Sequence, residues 1–113
     1  MSLYSSAKLI GTLFQEKTLE QAATRDGYGT GLVKAGKKNK NVVALCADLT
    51  ESTRTQAFAE QFLERFFECG VAEQNMACVA AGLAISGKIP FIASYAAFSP
   101  GRNWEQIRTT IAY

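Results

Sequence analysis

Three short polar segments carry the residues that could do chemistry. They are Asp48-Leu49-Thr50-Glu51-Ser52, Gly70-Val71-Ala72-Glu73-Gln74-Asn75 and Ser94-Tyr95-Ala96-Ala97-Phe98-Ser99, and each follows an apolar run. Glu73 falls in the first turn of a helix that has no other charged residue. An acidic residue there is explained by the positive end of the helix dipole. Alternatively, a carboxylate enclosed without a cation has a raised pKa and can act as a proton donor. Tyr95 and Phe98 stand just past an apolar run, where aromatics either pack a core or present a ring to a ligand. The chain has no histidine. Ser-His-Asp relays, Cys-His relays and His-metal sites therefore cannot be built from its own residues. Carboxylates, backbone and aromatics remain, together with groups supplied by another polypeptide.

The elements that must position these segments follow from hydrophobic spacing. Leu9, Ile10, Leu13 and Phe14 predict a short amphipathic helix or arm over 8–23. Tyr28, Leu32 and Val33 predict a helix from Arg25 to Gly36, weakened by Gly27, Gly29 and Gly31 by about 1 kcal/mol each. Gly36 and the basic run 37–41 are expected to stop it. Val42 to Ala47 is a continuous apolar run, the signature of a central parallel strand buried on both faces. A short helix is expected over 57–62 and a short strand over 65–69. Met76, Val79, Ala80, Leu83 and Ala84 give the strongest helical period, over 74–86. Its other faces are Ala77, Ala81 and Gly82, so it is expected to be buried nearly all round and capped by Gly87. Ile89 to Ala93 is the next strand, Pro100-Gly101 a turn, and Asn103 the cap of a last helix bearing Trp104, Ile107 and Ile111.

Alternating helices and strands of this kind predict an α/β fold, a parallel sheet with helices on both faces. Three strands are few for such a sheet, so the domain is expected to be incomplete. Ligands bind outside the carboxyl ends of open parallel sheets, and those ends are where the three polar segments begin.

Composition narrows the function classes. The chain has 113 residues, 48% of them hydrophobic and 19% charged, with a formal net charge of +2. Such a chain folds, and its dispersed basic residues make no case for nucleic acid or a membrane surface. The longest uncharged stretch within one element, 74–87, is too short and too rich in Ala and Gly to span a bilayer. Cys46, Cys69 and Cys78 match no metal spacing and read as buried thiols of a reduced, cytoplasmic protein. Tyr28-Gly29-Thr30-Gly31 superficially matches a phosphate loop, but no strand precedes it. Lys37, Lys38 and Lys40 read as a solvated loop.

The stretch Phe67-Glu68-Cys69-Gly70-Val71-Ala72-Glu73-Gln74-Asn75-Met76 resembles the segment across the catalytic glutamate of transketolases. Ala23-Thr24-Arg25-Asp26, Ala47-Asp48-Leu49 with Ser52, and Ala93-Ser94-Tyr95-Ala96-Ala97-Phe98 resemble further segments of the transketolase pyrimidine-binding domain, in the same order. The resemblance covers residues 20–113, leaving 1–19 as an arm. Phe98-Ser99-Pro100-Gly101-Arg102-Asn103-Trp104 looks most like the separately encoded C-terminal transketolase subunits of prokaryotes.

The resemblance implies thiamine diphosphate as cofactor, with Mg2+ or Ca2+ held by a diphosphate-binding domain outside this chain. It implies that Glu73 bonds N1′ of the aminopyrimidine and favours the tautomer that accepts the C2 proton. Phe98 would stack on that ring with Tyr95 beside it, Asp48 would lie near the thiazolium, and Arg25 and Ser52 would hold a sugar phosphate. The activity implied is transfer of a two-carbon ketol unit between sugar phosphates. The expected partners are an N-terminal transketolase subunit and further copies of the chain, which alone is expected to be inactive and truncated at Tyr113. Alternatives are another thiamine enzyme, a deoxyxylulose-phosphate synthase or a 2-oxoacid dehydrogenase β subunit, and a non-catalytic α/β interaction module.

Overall fold

A computed structural model describes residues 9, 11–15 and 19–113. Helix α1 spans Thr24–Lys38, strand β1 Val42–Cys46, helix α2 Gln56–Gln61 and strand β2 Phe66–Glu68. Helix α3 spans Glu73–Ile85, strand β3 Ile89–Ala93, and a last helix α4 Trp104–Gln106, which continues as a wider π-type turn over Ile107–Ala112. The three strands form one parallel sheet in the order β2-β1-β3. The α/β class and the element order expected from the sequence hold.

Strand β1 organises the core because it is buried along its whole length. Its residues alternate between two layers, as side chains on a strand must. Val43 and Leu45, with Ala47 beyond them, pack with Met76 and Ala80 of α3. Val42 and Ala44 pack with Leu32 of α1 and Phe58 of α2. A strand with helices on both faces has no polar face to show, which explains the unbroken apolar run.

Several local expectations need correction. The amphipathic helix over 8–23 falls partly outside the described residues; where described, 11–14 form turns and 19–23 carry no helix. Gly36 does not stop α1, which runs to Lys38 and closes on the Asn39 N–H bonded to the Ala35 carbonyl. Gly36 is buried, and a Cβ there would lie 2.6 Å from the Phe58 ring and 2.8 Å from that of Phe62. It is a close approach between helices rather than a cap. Gly36→Ala is therefore expected to destabilise the chain. Overpacking costs about 1–3 kcal/mol, against about 1 kcal/mol returned by helix propensity. A lowered urea midpoint checks this; an unchanged or raised one would show that the two rings give way.

Asn103 does not cap the last helix with its side chain. The helix also widens, because Thr109 Oγ1 and Thr110 Oγ1 donate back to the Glu105 and Gln106 carbonyls four residues earlier, which competes with the helical ladder. Helix α3 is not buried all round: Met76, Ala77, Ala80 and Ala81 are buried, while Asn75, Cys78, Val79, Gly82 and Ile85 on the opposite side are exposed. Only Cys46 of the three thiols is buried; Cys69 is half-buried and Cys78 lies on that outer face. Among the described residues no helix is long and apolar enough to cross a membrane.

Candidate functional site

The carboxyl ends of β1, β2 and β3 feed the three polar segments, so the parallel topology gathers them at one edge of the sheet. Glu73 opens α3 and is only 1% exposed. The expectation of an enclosed carboxylate without a cation is half right. Glu73 is enclosed, but its Oε2 accepts a 2.8 Å hydrogen bond from Nη1 of Arg102, forming an ion pair whose other partner is 46% exposed. Nothing in the spacing around Arg102 points to this role. Its guanidinium also lies over the Phe98 ring, 4.8 Å from the centroid. Phe98 in turn stacks with Tyr95, with centroids 6.2 Å apart and planes 26° from parallel. Glu73, Arg102, Phe98 and Tyr95 thus form one contact chain.

The loop after β3 brings Arg102 back to α3. Phe98 and Ser99 N–H groups both bond to the Tyr95 carbonyl, and Arg102 N–H bonds to that of Phe98. The coil is tight enough that a Cβ on Gly101 would run into the Ala97 carbonyl. Asn103, fully buried, fastens it: Nδ2 donates to the Glu73 carbonyl at 3.2 Å and to Ser99 Oγ at 3.1 Å. The Asn103 side chain thereby ties the aromatic loop to the first turn of α3.

Arg25 and Ser52 come together at a cleft that Tyr95 also lines. Arg25 Nη1 donates to the Ser52 carbonyl at 3.5 Å. Both residues line a cleft of about 600 Å³ with Tyr28, Ser94, Tyr95 and Ser99 among its other walls. The hydroxyls of Tyr28 and Ser94 are buried there without a hydrogen-bond partner of good geometry among the described residues. Burial pushes the Tyr28 phenol up to about 12, with the nearby Thr55 hydroxyl offsetting part of the shift. It therefore stays neutral and can donate. A cleft lined by an arginine and by serine and tyrosine side chains suits an oxygen-rich anionic ligand.

Asp48 does not line that cleft. It sits in a left-handed backbone conformation, φ 59°, at the start of the loop after β1. Glu68, at the end of β2, holds it there. Its Oε1 accepts from the N–H groups of Asp48 at 2.7 Å and Gly70 at 3.0 Å, and its Oε2 from Thr50 Oγ1 at 2.6 Å. Glu68 lies inside the segment that carries the family resemblance, and its spacing there points to no role. Its place opposite Cys46 in the β1–β2 register, where both strands end, brings it to the start of the loop after β1.

Partial burial works to raise the Glu68 carboxyl, but the Thr50 hydroxyl and the N–H groups of Asp48, Gly70 and Cys69 outweigh it and hold the group below its ordinary 4.5. A carboxylate lowered on folding contributes stability above its unfolded pKa and loses it as pH falls through the folded one. Wild-type stability is therefore expected to drop below about pH 4.5 more steeply than that of Glu68→Gln. Urea titrations between acid and neutral pH check this; parallel curves would show the clip to be weak.

The comparisons with known proteins bear on these groups. The family described as "Transketolase, pyrimidine binding domain" matches residues 20–113. A Methanocaldococcus jannaschii protein provisionally named a transketolase C-terminal section is 56% identical over 89 residues, 79% of this chain and 28% of that protein. A 1-deoxy-D-xylulose-5-phosphate synthase of Syntrophus aciditrophicus is 44% identical over 80 residues, 71% of this chain and 12% of the synthase. Among solved structures, one titled "Split gene transketolase, inactive beta4 tetramer" superposes with a TM-score of 0.72 at 51% identity, covering 81% of this chain and 31% of that one. The chain thus spans less than a third of each of these relatives.

Proposed function

The chain belongs to the transketolase pyrimidine-binding domain family, and from that premise we propose that it supplies the aminopyrimidine side of a thiamine diphosphate site used for two-carbon ketol transfer between sugar phosphates. The observation that carries this reading is the buried Glu73 carboxylate at the first turn of α3, joined through Arg102 to the Phe98 ring. Bound thiamine diphosphate would supply the carbon nucleophile for breaking and making carbon–carbon bonds. The residues present fit its ring: a carboxylate able to hold a proton at N1′, and an aromatic face for stacking.

Each residue of the chain then has a task. Glu73, enclosed by Asn103 and the loop after β3, keeps the proton at N1′ out of water. Phe98, with Tyr95 behind it, orients the ring. Asp48, fixed by Glu68, stands on the thiazolium side. Arg25 and Ser52 take the phosphate end of the sugar in the cleft they share, with Tyr28 and Ser94 as hydroxyl donors. The diphosphate and its Mg2+ or Ca2+ belong to an N-terminal transketolase subunit. The split-gene neighbour's title describes a β4 tetramer, and we extend self-association to this chain.

Arg25 with Ser52, and the Ser94-Tyr95-Ala96-Ala97-Phe98 segment, favour ketol transfer over the synthase reaction, although a synthase is also among the relatives. The test is to combine the chain with an N-terminal transketolase subunit and titrate thiamine diphosphate, then supply xylulose 5-phosphate or pyruvate, each with an aldose phosphate as acceptor. Cofactor binding and turnover of the sugar phosphate are expected only from the combination. Turnover of pyruvate instead would transfer the chain to the synthases, and a combination that binds no cofactor would leave a non-catalytic interaction module.

A further inference from the structure

Arg102 makes both contacts that the proposed reading assigns to the aminopyrimidine. One planar nitrogen group hydrogen-bonds the Glu73 carboxylate at 2.8 Å and lies 4.8 Å from the centroid of the Phe98 ring. An aminopyrimidine is likewise planar, carries N–H and ring nitrogen at its edge and offers a face for stacking. We propose that Arg102 is an internal competitor for the aminopyrimidine place, so that a planar nitrogen heterocycle enters only as the guanidinium swings out. This inference rests on the reading of Glu73 and Phe98 given above.

The surroundings allow such a swing. The Arg102 side chain is 46% exposed, so its charge has water within reach. The loop does not depend on it. Asn103 Nδ2 fastens the loop to the Glu73 carbonyl, and Gln74 Nε2 reaches the Arg102 carbonyl at 3.5 Å. The backbone at 102 can therefore stay in place while the side chain leaves.

Departure also changes what Glu73 can do. Its carboxylate is 1% exposed, and a buried charge is tolerated only when paired and hydrogen-bonded. With Arg102 against it, the negative charge is balanced. With Arg102 gone, a proton shared with the incoming ring nitrogen is the remaining compensation. The exchange of partners thus couples ring entry to proton sharing at Glu73, and it selects for ligands that bring both a face and an edge proton site.

The test uses the full chain combined with an N-terminal transketolase subunit, and 4-amino-2-methylpyrimidine as the probe, read by calorimetry and by the 15N-resolved side-chain signal of Arg102. A bound state blocked by a competing internal group weakens apparent affinity in proportion to the blocked population. Arg102→Gln is therefore expected to bind the probe roughly 3–10-fold tighter than wild type, with Arg102→Lys, which keeps the cation and loses the planar face, in between. In the wild type the Arg102 Nε–H signal should move on saturation to the position of a solvated arginine. Should Arg102→Gln fail to fold, Arg102→Lys decides by the same comparison. Equal or weaker binding by the folded variant, or an unmoved Arg102 signal at saturation, overturns the competitor while leaving the cofactor reading intact. No binding by any of the three chains overturns both.

Discussion

Glu73→Gln in the assembled enzyme is expected to reduce turnover by ~10²–10⁴-fold, the usual loss when a positioned acid–base group is removed, while leaving the fold nearly unchanged. The two side chains have the same size, so the 1% exposed position stays filled. The amide oxygen can still accept from Arg102, and Arg102, being half exposed, regains water for whatever charge pairing it loses. The expected stability change is therefore only about 1 kcal/mol. What is lost is the group that shares a proton with N1′. Turnover and melting temperature must be measured on the same preparation. Turnover within a factor of about three of wild type would remove Glu73 from the mechanism, the predicted loss being at least ~10²-fold. A collapse of the melting temperature alongside lost turnover would make the residue structural.

The contact between Arg102 and Glu73 shows where reading the sequence stopped. Residues 73 and 102 are separated by β3 and its loop, and nothing in local periodicity brings them together. The strand β1 was legible because burial on both faces leaves a continuous apolar run, and α3 was legible as a helix because Met76, Val79, Ala80 and Leu83 follow its period. The burial of α3 was misjudged for the same reason: apolar residues on every side do not say which side the chain itself covers. Gly36 reads as a stop because glycine near a basic loop usually is one; the rings of Phe58 and Phe62 that require it come from α2 and the residue just after it. Arg25 and Ser52 were paired through the family resemblance, and they do share a cleft. Asp48 was named without its support, because Glu68 reaches it only through the parallel pairing of β1 with β2. Local chemistry is written in neighbouring residues, and its second layer of support comes from tertiary pairing.

The outer face of α3 is expected to be covered by a second copy of this chain in solution. Asn75, Cys78, Val79, Gly82 and Ile85 form a stripe along the helix at the spacing of one face, all exposed, with Ile85 at 87%. No residue of α3 beyond Glu73 carries a charge, so this face has nothing to keep it in water. Ile89 and Phe91 of β3 add exposed apolar surface, and β3 is an edge of the sheet among the described residues, with unpaired backbone groups that favour association. Gly82, a small residue on this face, lets a facing helix approach closely, and a like face presented by a second copy is self-complementary across a two-fold axis. The same helix carries Glu73 at its start, so association would also shield the candidate site from water. Val79→Arg should place a charge in the middle of the contact and raise the dissociation constant by ~10²-fold or more, since a buried unpaired charge costs several kcal/mol. Sedimentation over a micromolar concentration series, for wild type and variant, measures this directly. A wild-type chain that sediments as a compact, cooperatively folding monomer at the lowest concentration would overturn the assignment, and an unshifted Val79→Arg would move the contact away from α3.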